Sequence, residues 1–155
     1  MVYRYTLKRE WLGAGGMVNW IMLNPSTADD FFDDPTIRKC IGFSKRWSFS
    51  SMEVTNLFAM RATDPTELLR VSPASAIGPD NDASILTTAR RASMICAAWG
   101  NHGGIYRRGQ EVLEVLRNVN HVACIGVTKL GMPVHPGRVG YTNAPVPYCR
   151  MDAAS

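Results

Sequence analysis

Four short, mostly apolar runs, at residues 17–23, 52–58, 94–99 and 121–126, alternate along the chain with stretches whose apolar residues follow helical spacing. This alternation constrains the fold more than any other feature. Short apolar runs predict strands buried on both faces, and strands alternating with helices predict a parallel sheet joined by right-handed crossovers. The expected fold is therefore α/β, a three-layer α/β/α sandwich around a four-stranded parallel central sheet. With 155 residues, 46% of them hydrophobic, the chain can bury one core but is too short for two ordinary domains, so residues 1–155 read as a single domain.

The helical stretches carry recognisable punctuation. Asp34 followed by Pro35 predicts an N-cap and first helical position, with Ile37, Cys40, Ile41, Ser44 and Trp47 on one face. A turn-rich segment at 61–65 leads to a short helical piece through Leu69, and further helices are expected at 81–92 and 106–116. Residues 2–7 alternate as an edge strand would. The chain from about Gly131 onward is loosely composed, and no repeat or low-complexity tract is present.

The formal charge of +4 permits a polyanionic partner without demanding one. Cys40, Cys96, Cys124 and Cys149 are widely spaced, with no C-x-x-C pair, and read as buried thiols of a reducing compartment. The first residues lack the apolar region of a signal peptide, and no apolar stretch is long enough for a membrane span. A cytoplasmic monomer without a membrane partner is expected.

In a parallel sheet the ligand lies beyond the carboxyl ends of the strands. Here that rim is formed by 24–27, 56–61, 99–104 and 127–138. Asn24, directly before Pro25 and Ser26, leaves a buried strand at a sharp turn. Its amide could orient a water, though it is a weak general base, or it could cap its own turn. His135, held by Pro136 and Gly137, could stabilise negative charge on a leaving group or be a plain surface histidine. Asn56 could read a nucleobase edge or satisfy loop backbone.

Arg61 could meet a phosphate or pair with Asp64 or Glu67. Phe31 and Phe32, set among Asp29, Asp30, Asp33 and Asp34, could stack on a flipped base or anchor the loop in the core. Asp29 is the candidate for a water-activating carboxylate, while Mg²⁺ held by this cluster is the lesser alternative. The stretch 99–104 has neither a phosphate-loop lysine pattern nor G-x-G-x-x-G, so no cofactor is expected. Arg107, Arg108, Lys129 and Arg138, with His102, suggest a basic fringe around the rim.

Leu23-Asn24-Pro25-Ser26 after a strand, Val54-Thr55-Asn56 ending the next, and the late His135-Pro136 resemble the uracil-DNA glycosylase superfamily. From Leu23 to Pro136 the chain resembles still more closely an uncharacterised bacterial family with the running pattern Leu-Asn-Pro-Ser-Thr-Ala-Asp, Asp-Pro-Thr, Asn-Leu-Phe-Ala, Arg-Ala-Thr-Asp-Pro and His-Pro, which looks like a divergent branch of that superfamily. The resemblance implies a DNA glycosylase that flips its target base. It makes Asn24 the water-positioning residue, His135 the stabiliser of the departing base, Asn56 the base reader and Phe31 or Phe32 the stacking ring. Pro25 and Ser26 would border the base, while Arg61, His102, Lys129 and Arg138 would contact DNA. Asn24 stands where the strongly hydrolytic uracil enzymes carry Asp, which points to a mispaired or modified base. Modified cytosines of phage DNA are included, which would make the protein a defence enzyme. The competing readings are a nucleobase-binding module, an N-glycosidase of free nucleosides or nucleotides, and a metal-dependent phosphoesterase.

Overall fold

The computed structural model describes residues 1–148. One mixed sheet of six strands organises them, comprising β1 (Leu7–Glu10), β2 (Met17–Met22), β3 (Ser51–Asn56), β4 (Met94–Ala97), β5 (Val122–Cys124) and β6 (Val146–Pro147) in the order β1-β3-β2-β4-β5-β6. The four expected runs form the middle of the sheet, where β2 is parallel to β3 and β4, and β4 is parallel to β5. The sheet differs from a purely parallel four-stranded one at both edges, because β1 and β6 join antiparallel to β3 and β5.

The first edge also begins later than residues 2–7 suggest. β1 pairs Leu7 with Val54 and Glu10 with Ser51, whereas the chain before it lies beside 59–61, beyond the end of β3. β6 arises from the loosely composed end, whose two short residues against β5 leave no periodicity to read.

Helices cover both faces. On one, α1 (Pro35–Arg46) buries Ile37, Cys40 and Phe43 against Val18, Trp20 and Met52. Asp34 caps it as expected, its Oδ1 accepting from the Ile37 N–H at 2.8 Å. Trp20 donates its indole N–H to Ser44 Oγ at 2.9 Å and stacks on Trp47, fixing the helix over the sheet. On the other face lie α2 (Pro73–Ile77), α3 (Asn81–Arg91) and α4 (Arg108–Leu116), with Ile85, Ala89, Val112, Leu113 and Leu116 packed against Ile21 and Ile95.

The helix expected over 106–116 forms as α4 from Arg108, its first two expected residues instead ending a 3-10 stretch Asn101–Arg107. Tyr106 and Arg107 break the helix with φ of 53° and 54°. Such values are strained for side chains of this size. The Tyr106 hydroxyl donates to Val71 O at 3.0 Å, tying the break to the Pro65–Arg70 turn. Cys40, Cys96 and Cys124 are buried free thiols, and burial pushes each thiol pKa up. Cys149 lies outside the described residues. No helix among the described residues is long and apolar enough to cross a membrane.

Candidate active site

A cavity of about 880 Å³ opens at the carboxyl ends of the parallel strands. Asn24, Asn56 and His135, far apart in sequence, all line it, as do Pro25, Ser26, His102 and Arg138. The sheet sets this up, since β2 delivers Asn24 two residues past its end, β3 delivers its last residue Asn56, and the loop after β5 carries His135.

The Asn24 amide is oriented by its neighbours. Its Nδ2 donates to Ala62 O at 2.8 Å and to Pro25 O at 3.1 Å. Two carbonyl acceptors demand the NH₂ end, so the orientation of the amide is chemically forced. No donor among the described residues reaches Oδ1, which remains an acceptor for a molecule in the cavity. A carboxylate here would place an anionic oxygen against two carbonyl oxygens.

Asn56 is only 5% exposed, yet its side chain has no hydrogen-bond partner among the described residues. Its backbone carbonyl is held by Asn81 Nδ2 at 2.9 Å, which fixes the residue while leaving the amide available. A nearly buried amide without a partner is costly unless water or a ligand completes it.

His135 is pinned through its ring. Gly137 N–H donates to Nδ1 at 3.0 Å, so in the neutral ring the proton sits on Nε2 and can be donated. Burial lowers its pKa below the usual 6.5, the neighbouring Arg138 lowers it further, and Asp34 acts in the opposite sense. The loop is braced by Gly100 N–H to Pro133 O and Val134 N–H to Gly126 O, both at 2.9 Å.

The carboxylate brought to the cavity is Asp34, not Asp29. While Asp34 Oδ1 caps α1, its Oδ2 accepts from the Ser26 and Thr27 hydroxyls at 3.3 and 3.4 Å. Asp29 instead accepts from the Phe31 N–H at 2.9 Å in a local turn and does not line the cavity. Asp33 pairs with Arg9 at 2.7 Å and Asp30 approaches Arg4 at 3.7 Å, so the acidic loop sends its carboxylates to separate partners. Among the described residues no three His, Cys, Asp or Glu side chains come together as a metal site.

Phe31 and Phe32 lie outside the cavity on the tip of this loop, 99% and 55% exposed, and neither anchors a core. Trp99 also borders the cavity, but it is 2% exposed, its indole is seated on Gly103, where any side chain would collide with the ring, and it packs edge-on to Tyr148 in the core. Arg61 neither lines the cavity nor pairs with Asp64 or Glu67; its guanidinium donates to Ser26 O at 2.8 Å and props the Asn24-Pro25-Ser26 turn.

Lys129 is exposed on a turn away from the lining, while His102 and Arg138 are exposed at the rim. Arg108 does not belong to a basic fringe. It is 1% exposed, donates to Leu57 O at 2.9 Å and pairs with Asp82 and Glu111.

The site therefore offers an acceptor at Asn24, a free amide at Asn56, a neutral N–H donor at His135 and a negative charge at Asp34. In the sequence Asp34 reads as a helix cap and as one of the four acids of its loop, not as the carboxylate of the cavity. The one signal for its second role is the pair of hydroxyls at Ser26 and Thr27, which no periodicity connects to residue 34. Comparison with curated proteins and with solved structures finds no match. Residues 4–137 match the model of the family described as Protein of unknown function (DUF1643), and the chain belongs to that family.

Proposed function

We propose that this protein is a DNA glycosylase that hydrolyses the N-glycosidic bond of a modified or mispaired base flipped into the cavity. The observation that carries the reading is the meeting of Asn24, Asn56 and His135 in one cavity, each with hydrogen-bonding capacity left unused by the protein. The likeness of these motifs to the uracil-DNA glycosylase superfamily supports it, as does a site at the carboxyl ends of parallel strands.

In this mechanism the flipped base lies beside Pro25, with its polar edge on the Asn56 amide. The bond from the sugar C1′ to the base nitrogen breaks, and its electron pair leaves with the base. The growing charge on a base carbonyl oxygen is met by the His135 Nε2–H, a neutral donor held in place by the Gly137 N–H. The cationic sugar is favoured by the Asp34 carboxylate. Water held through Asn24 Oδ1 then adds to C1′ and releases its proton to solvent. Asn24 orients that water without taking its proton, so the reaction depends on a good leaving group. This is the reason for assigning a modified or mispaired base rather than plain uracil.

The test is incubation with duplex and single-stranded oligonucleotides carrying a panel of modified and mispaired bases, and with the free nucleosides, followed by mass spectrometry of released base. Release from DNA but not from nucleosides is expected for one class of base. Because neither amide can titrate, a binding module is the second reading. Tight binding of such DNA with every base retained would select it.

A further inference from the structure

The charges of this chain are segregated. Residues 35–52 and 115–148 contain seven Lys and Arg and no Asp or Glu, so the remaining residues hold more acid than base. Four of those seven cations, Arg38, Lys39, Lys45 and Arg46, are on α1. Helical geometry sets Arg38 with Lys45 in one row and Lys39 with Arg46 in the next, on the side opposite the buried Ile37, Cys40, Phe43 and Ser44.

Gly42 lies between the two rows, and the Tyr141 ring rests directly on it. Lys39 Nζ is 4.4 Å and the Arg46 guanidinium 4.0 Å from the centre of that ring, while Lys45 Nζ is 5.5 Å from the Trp11 ring. Aromatic faces hold these cations in place without neutralising them. None of the four forms an ion pair among the described residues; Arg38 and Arg46 donate only to backbone carbonyls. α1 also packs against the Pro136–Arg138 turn, so the cationic face continues to Arg138 at the rim of the cavity.

We propose that the outer face of α1, continued by Arg138, is the track that holds the sugar-phosphate backbone of DNA and leads the target nucleotide to the cavity. The proposal rests on the DNA reading above and replaces Arg61 and Lys129 as the main phosphate contacts. From Arg38 to Arg46 the face runs about 12 Å at the α-helical rise. That covers roughly three to four nucleotide steps of one strand. An unpaired cationic strip of this length, ending at a cavity with a base-reading amide, fits a polyanion whose charges repeat along a line.

The test compares Lys39→Gln/Lys45→Gln/Arg46→Gln with Lys8→Gln/Arg70→Gln/Arg90→Gln, which removes the same charge from exposed positions outside α1 and the cavity lining. Affinity for a 20-mer duplex is measured across a salt series. The α1 variant is expected to bind on the order of 10- to 100-fold more weakly near 0.1 M salt, with the slope of log affinity against log salt reduced by about 2 to 3. The control is expected to lose less than about threefold. Arg138→Gln, at an exposed position outside α1, is expected to weaken binding several-fold even if the triple variant folds poorly.

Equal losses in both triple variants, no duplex binding by the unaltered protein, or tighter binding of RNA of the same sequence would overturn the assignment. Binding through α1 with no base released sinks the glycosylase reading and keeps this surface. Base release unchanged by the α1 substitutions, with affinity also unchanged, does the reverse.

Discussion

On strand β3, Glu53 and Asn56 stand three residues apart and are almost equally buried, at 3% and 5% exposure. Glu53 is fully engaged beneath α3, accepting from Arg91 at 2.9 Å and from Thr88 at 3.2 Å. Nearby, Asn19 donates to Glu53 O at 3.0 Å, and Asn81 to Asn56 O and Leu57 O; only their Oδ1 atoms lack partners, and neither residue lines the cavity. Asn56 has the opposite character, with its backbone held and its side chain left to the cavity. Polar burial by itself therefore marks no site. What separates Asn56 from Glu53, and from the unpartnered Oδ1 atoms of Asn19 and Asn81, is that its unpaired amide borders a cavity a molecule can enter.

This contrast breaks first on the Glu53 side. Glu53→Ala removes the partner of Arg91 and Thr88 and leaves a void, and should lower unfolding free energy by about 2 to 3 kcal/mol, measured by urea titration. Base release per folded molecule should be unchanged; a loss there without unfolding would merge the two regions.

Asn24→Asp comes next, because its carboxylate would face Pro25 O and Ala62 O. The expected cost at pH 7 is about 1 to 2 kcal/mol. The repulsion raises the carboxyl pKa in the folded state, so the cost should shrink as pH falls toward and below the unfolded value of about 4. A variant as stable as the original at pH 7 would show that the amide orientation is not forced.

A smaller effect is expected at His135. Its folded pKa lies below 6.5, so the stability it contributes is complete above 6.5 and is lost as pH falls from there through the lowered value. Comparison with His135→Asn, in which Oδ1 can still accept from the Gly137 N–H, should show the unaltered protein losing more stability on acidification. An identical pH slope would contradict a neutral, desolvated ring.

The smallest effect on stability belongs to Asn56→Leu. It should stay within about 1 kcal/mol of the original, or even gain stability, since it removes an unsatisfied polar group from a nearly buried position. Base release should nevertheless fall sharply. A large destabilisation would place Asn56 with Glu53 among the structural groups.

Much of this arrangement is legible in the chain itself. The four apolar runs place β2, β3, β4 and β5, and Asp34-Pro35 marks the start of α1, because burial on both faces and helix capping leave local residue patterns. The edges are legible only in part: an edge strand is expected at residues 2–7 but forms at Leu7–Glu10, and β6 is not expected, since both are short and depend on which neighbour is within reach. The break at Tyr106 is set by a distant carbonyl. In the site, Asn56 stands at the end of β3, Asn24 just past β2 and His135 in the loop after β5, places on the rim that the alternation of strands and helices predicts. The exchange of Asp29 for Asp34 and the withdrawal of Arg61 to Ser26 O depend on hydrogen bonds across loops, which no spacing encodes.

If Asn24 orients the attacking water, as proposed, the rate of alkali-labile site formation by Asn24→Ala reports that role without an intermediate step. On any DNA from which the unaltered protein is found to release a base, the rate should fall at least about 100-fold, the scale expected when a group that orients the reacting water is lost, while duplex affinity changes less than about threefold. Alkali-labile sites formed equally fast by Asn24→Ala would contradict the account.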